Sequence, residues 1–83
     1  MNKLIYISAP WCGPCRQFGP IMDKVSSEVP VRKMDADNDQ AALAQYNVRS
    51  IPTVIKVDGS GVEISRFTGI KTQQEVINFY KNQ

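Results

Sequence analysis

The chain has 83 residues with a formal net charge of +2; 42% of them are hydrophobic and 22% charged. That length makes one domain with a single small core, expected over residues 1–83, and that balance excludes a disordered chain. Ten Lys and Arg residues are scattered among eight acidic ones, and only Arg32 and Lys33 are adjacent, so no run of basic residues marks a nucleic-acid or membrane footprint.

Lys3 to Ser8 reads as a strand that is apolar on both faces, with Ile5 and Ile7 on one and Leu4 and Tyr6 on the other. A strand covered on both sides belongs in the middle of a sheet. Its run of four apolar residues, Leu4 to Ile7, is too short for the core of a signal peptide, which needs about 7–15, or for a membrane span of about 20. A cytoplasmic protein is the expectation.

The spacing of Phe18, Ile21, Met22, Val25 and Val29 predicts a helix over about Cys12 to Glu28 with one apolar stripe. Pro20 lies inside it and removes one backbone hydrogen bond. Pro30 closes the turn into a second strand, Val31 to Asp35. Asp37, Asn38 and Asp39 offer capping side chains ahead of a helix over Gln40 to Tyr46. Asn47 to Ser50 is a loop, and Thr53 to Val57 a third strand. Asp58-Gly59-Ser60-Gly61 is a turn signal leading to a fourth strand, Val62 to Phe67. Thr72, with Glu75 three residues later, forms a capping box for a last helix whose inner face is Val76, Ile77, Phe79 and Tyr80.

The order is β-α-β-α-β-β-α. A βαβ unit requires a parallel pair, and a hairpin followed by a helix completes the chain. The fold class is α/β: one four-stranded mixed sheet with helices on both faces.

The two cysteines, Cys12 and Cys15, stand between the first strand and the first helix. Three residues on a helix give about 300° of rotation and about 4.5 Å of rise. The Cα atoms then fall about 5 Å apart, within disulfide range. Free N–H groups at a helix amino end favour a thiolate, so Cys12 is the candidate attacking sulfur. Cys15 lies one turn further in, is expected to be the more buried, and would resolve the mixed disulfide. Pro14 fits the first turn, where its missing N–H costs nothing.

Two plainer readings compete. A structural disulfide closing a loop of about four residues would stabilise by only about 2 kcal/mol in the chain-entropy model. A zinc half-site would need two more ligands, and the chain has no histidine and no third cysteine. Carboxylates or a second chain would have to supply them.

The run Trp11-Cys12-Gly13-Pro14-Cys15 resembles the active-site signature of the thioredoxins. Pro20, Lys33, Asp37, Ile51-Pro52-Thr53 and Gly69 also fall where that family's pattern places them, so the likeness covers nearly the whole chain. The resemblance implies a thioredoxin-like fold and a protein-disulfide reductase working by dithiol–disulfide exchange. It implies catalysis by Cys12 and Cys15, with Trp11, Gly13, Pro14, Ile51, Pro52 and Gly69 binding the substrate and Pro52 in the cis form. It implies no cofactor beyond the redox-active Cys12–Cys15 disulfide, no metal, disulfide-containing protein substrates, a thioredoxin reductase as electron source, and a monomer.

The chain departs from the family pattern in three places. It starts directly at the strand before the cysteines, as short thioredoxins of phages and archaea do. Ser8 stands where an aromatic residue is frequent. Tyr6 stands where the family commonly buries an aspartate beneath the cysteines, and Lys33 and Asp35 on the next strand are the candidate substitutes or else an ordinary surface pair. Two other functions fit the same topology: a glutaredoxin-like, glutathione-dependent oxidoreductase, against which the Gly-Pro dipeptide and the single Gly69 count, and a binding subunit of a partner protein in which the thiols are incidental.

Overall fold

The computed structural model describes residues 1–82. Its elements are β1 (Lys3–Ser8), α1 (Gly13–Ser26), β2 (Val31–Asp35), α2 (Gln40–Gln45), β3 (Thr53–Val57), β4 (Glu63–Thr68) and α3 (Gln73–Lys81). The strands form one mixed sheet in the order β2-β1-β3-β4. β1 pairs parallel to β2 and antiparallel to β3, and β3 pairs antiparallel to β4. The all-apolar β1 is therefore central, as its two-faced pattern requires.

Each face of the sheet has its own core. Leu4, Tyr6 and Val54 meet Phe18, Met22 and Val25 of α1 and Val76 and Ile77 of α3. Ile5, Ile7, Met34, Ile55 and Val57 meet Ala42 and Leu43 of α2, together with Tyr46 and Val48 just beyond it. The strand period of two sends alternate side chains to opposite layers, and this is what lets a short chain bury both sheet faces.

Several element ends differ from the sequence reading. Cys12 caps α1 rather than opening it: its backbone is extended, and its sulfur accepts from the Cys15 N–H. The helix ends at Ser26, two residues early, where Ser27 turns its N–H back on Lys24 and Val25. Asp39 occupies the N-cap of α2 but makes no side-chain cap bond. Its carboxylate instead accepts from Asp35 N at 2.9 Å, and Asp37 is drawn away to Trp11. β4 starts one residue late, with an irregularity opposite Lys56 and Val57 that leaves Ile64 outside the pairing. The capping box of α3 is complete: Glu75 N donates to Thr72 Oγ1 at 3.1 Å, and Thr72 N to Glu75 Oε1 at 3.0 Å. Those hydrogen bonds hold the Glu75 carboxyl below its ordinary range.

Lys56 is the residue the sequence reading left unremarked. It lies mid-β3 and is 1% exposed. Its position on the α1/α3 face brings the ammonium to the carboxyl end of α3, where it donates to the carbonyls of Phe79, Tyr80 and Asn82. A cation there meets the negative end of the helix and satisfies carbonyls that have no partner within it.

Candidate active site

The strand-to-helix junction is tightly folded. β1 ends at Ser8, and Cys12 N turns back to donate to Ala9 O at 3.2 Å. Arg16 Nε reaches over to Pro10 O at 3.1 Å. Gly13 and Pro14 form the exposed first turn of α1, where a proline displaces no helical hydrogen bond.

Cys12 and Cys15 are joined as a disulfide with Cα atoms 5.2 Å apart. Cys15 N lies 3.3 Å from Cys12 Sγ and donates to it. The expected contrast in burial is not present: Cys12 is 6% exposed and Cys15 5%. What distinguishes the two sulfurs is electrostatic. Cys12 Sγ is the N-cap acceptor at the positive end of α1, and Cys15 is inside the helix.

The surroundings come from distant parts of the chain. Ala9, Cys12 and Cys15 form a small buried cluster with Ala36 and Ile51 against it. The Ile51–Pro52 peptide bond is cis. The Ile51 carbonyl oxygen lies 3.8 Å from Cys12 Sγ. Gly69 N donates to Pro52 O at 3.0 Å, and Gly69 has φ +85°, a conformation that favours glycine. Trp11 is 64% exposed, so it is not a core aromatic. Its indole N–H bridges both Asp37 carboxylate oxygens, at 3.1 and 3.0 Å, which fixes the ring across the groove. Between Trp11 and Ile51 lies a cleft of about 240 Å³ walled by Ala36, Leu43, Val48 and Arg49. Sequence reasoning found both edges of this cleft but not its walls, because nothing in the local pattern of a short helix and loop brings Leu43 and Val48 to Trp11.

Tyr6 reaches from β1 to the backbone of the first turn of α1. It is 1% exposed, packs edge-on against Phe18 with ring centroids 5.6 Å apart, and directs its hydroxyl at the Cys15 carbonyl oxygen, 3.5 Å away. Burial pushes its phenol pKa up, while the neighbouring Ser8 hydroxyl and the Lys33 charge work the other way. Neither suggested substitute for a buried carboxylate takes that place. Lys33 turns outward to an exposed ion pair with Asp23 at 3.2 Å, and Asp35 accepts from Asp37 N at 2.8 Å. Among the described residues no group of three or more His, Cys, Asp or Glu side chains is arranged to hold a metal ion, and no helix is long and apolar enough to cross a membrane.

A family model, Thioredoxin, matches residues 1–82. This chain belongs to the thioredoxin family. It is 37% identical over 75 residues to the thioredoxin of Haemophilus influenzae, covering 86% of this chain and 69% of that one. It is 36% identical over 77 residues to the thioredoxin of Chlamydia trachomatis, covering 89% and 74%. Among solved structures, Fasciola hepatica thioredoxin superposes with a TM-score of 0.85 at 29% identity, over 96% of this chain and 78% of that one. Thioredoxin-family membership and the Cys12–Cys15 pair make the protein a thiol–disulfide oxidoreductase. The thioredoxin fold accounts for the disposition of the site: both cysteines come from one strand-to-helix junction, and the opposing wall comes from the loop before β3.

Proposed function

We propose that this chain reduces disulfides in protein substrates through Cys12 and Cys15, with electrons returned by a thioredoxin reductase. The observation that carries the roles is the Cys15 N–H directed at Cys12 Sγ at the amino end of α1. A donor aimed at the sulfur and a helix dipole behind it both stabilise the Cys12 thiolate. That thiolate attacks a substrate disulfide; one substrate sulfur departs with the bonding pair and the other stays bound to Cys12. Cys15 then attacks Cys12 Sγ, the mixed disulfide breaks, the second substrate sulfur leaves reduced, and the Cys12–Cys15 disulfide forms.

The substrate segment lies extended along Ile51 and Pro52, with Trp11, Gly13, Pro14 and Gly69 around it, in a short form of strand addition. The exposed Trp11, clamped by Asp37, and the adjoining cleft support that placement. The reaction uses the cysteine pair itself and no other cofactor. The chain works as a single domain, as a monomer in the cytoplasm, on protein partners rather than nucleic acid or membrane.

The test is Cys15→Ser. The variant should accumulate a covalent adduct with disulfide-containing substrates such as insulin, because the mixed disulfide has no internal thiol to resolve it. Wild type that reduces insulin while the variant traps nothing would refute the two-step roles.

A further inference from the structure

The walls of the cleft beside Cys12 are held in different ways. Trp11 is fixed by the Asp37 carboxylate. Leu43 and Val48 belong to α2 and the turn after it. α2 has six residues, none of them fully buried, and no side-chain cap at its amino end. A helix this short is marginal by itself, so tertiary contacts must place it.

Those contacts converge on Tyr46, the residue that ends α2. Its backbone carbonyl has no partner within the helix and accepts from Arg66 Nη2, which crosses from β4. Glu63 orients the guanidinium: Arg66 Nε donates to Glu63 Oε2 and Nη2 to Oε1, each at 2.6 Å. The Tyr46 hydroxyl donates to Gly61 O at 3.0 Å, in the turn between β3 and β4. That turn is itself tied, with Asp58 Oδ1 accepting from Ser60 N at 2.8 Å and from Val62 N at 3.0 Å. One residue thus joins the end of α2 to the β4 edge of the sheet at two points.

From Tyr46 the chain runs directly into the cleft. Asn47 takes φ +53°, in the left-handed region, and Val48 N returns to Leu43 O at 2.9 Å. That hydrogen bond ties the two wall residues to each other. Arg49, Ser50 and Ile51 follow and line the same cleft, and the Ile51 carbonyl oxygen reaches Cys12 Sγ. Thr53 Oγ1 donates to Ser50 O at 2.6 Å and closes the segment onto β3. The wall is anchored at one end by β3 and at the other by Tyr46.

We propose that Tyr46, with Arg66 holding its carbonyl, is a positioning residue that sets the α2 wall of the cleft and thereby the affinity for protein substrates. This rests on the substrate path proposed above and names what holds its wall. Neither residue lines the cleft. A shift of α2 carries Leu43 and Val48 together, while the Cys12–Cys15 turn is built on β1 and α1 and stays in place.

The experiment is single-turnover oxidation of the reduced protein by insulin over a range of insulin concentrations, quenched with acid and read by labelling the remaining thiols. It yields a half-saturating concentration and a limiting rate. Arg66→Met keeps most of the stem and removes the donors. It should raise the half-saturating concentration about 5-fold, within the range that remote positioning contacts give, and leave the limiting rate unchanged. Arg66→Lys keeps a cationic donor for the carbonyl and should return the value towards wild type. Tyr46→Phe loses only the Gly61 contact and should give a smaller rise. A small aromatic disulfide, which needs access to Cys12 but no cleft, should oxidise every variant at the wild-type rate. Thr72→Ala, at the cap of α3 on the other face of the sheet, is the control for lost stability and should leave both parameters unchanged. An unchanged half-saturating concentration in Arg66→Met, a rise that Arg66→Lys does not reverse, or an equal rise in Thr72→Ala overturns the positioning role and leaves the dithiol mechanism standing. Wild type that does not reduce insulin overturns both.

Discussion

Placing a carboxyl where Tyr6 stands should make folding stability depend on pH in a direction set by burial. Tyr6 is 1% exposed, with Leu4, Phe18 and Val54 in the same core. Truncating a buried aromatic costs about 3–5 kcal/mol, and Tyr6→Asn carries that packing loss without a charge. Tyr6→Asp carries the same loss plus an ionisable group. Its unfolded pKa is about 3.9; desolvation raises the folded value, and Lys33 nearby offsets part of the rise. A net rise of about two units corresponds to about 2.7 kcal/mol. A raised folded pKa leaves the acid form unaffected below the unfolded value. The penalty grows through the window between the two pKa values and is complete above the folded one. Relative to Tyr6→Asn, the Asp variant should therefore weaken from about pH 4 to about pH 6 and then level off. An 83-residue domain has about 4–12 kcal/mol in total, so the Asp variant approaches unfolding at the alkaline end. Urea titration of both oxidised variants with a fixed concentration of trimethylamine oxide keeps it measurable, since that osmolyte favours burial. A difference between the two variants that stays constant with pH would refute the reasoning, because it would mean that the introduced carboxyl reaches solvent.

Limiting iodoacetamide at neutral pH should label Cys12 of the reduced protein ahead of Cys15, and since their burial is nearly equal, the ratio measures the helix-end effect alone; equal labelling on peptide mapping would refute it. Thr72→Ala removes the Oγ1 acceptor of the α3 capping box and should lower stability by about 1 kcal/mol, read as a lower urea midpoint at unchanged slope. The reduced protein should bind no stoichiometric zinc, and elemental analysis finding about one zinc per two chains would instead indicate a shared four-cysteine site.

Much of this molecule is legible in its sequence because the patterns are local. The two-faced β1, the Phe18–Met22–Val25 stripe of α1 and the Thr72–Glu75 box each lie within one element, where residue spacing alone settles geometry. The cysteine pair belongs with these, because three residues of one helix turn set its separation whatever surrounds it. Element ends were less legible. Asp39 has the chemistry of a cap for α2, but its carboxylate is taken by Asp35 N, a competing donor that no residue pattern displays.

The sequence by itself determined the strand and helix order, the cysteine spacing and the placement of Cys12 at a helix end. Only the tertiary structure decided what meets across the fold. It brought Asp37 to the Trp11 indole and Ile51 to the Cys12 sulfur, 26 and 39 residues away along the chain. It turned Lys33 outward to Asp23, brought Tyr6 to the Cys15 backbone carbonyl, and sent the buried Lys56 ammonium to the carbonyl end of α3. The reason is that local conformation follows from steric and hydrogen-bonding preferences within a few residues, whereas the partner of a polar side chain depends on which segments the sheet order makes neighbours. A lysine amid the apolar residues of β3 gives no sign of its acceptor until α3 has packed across that strand.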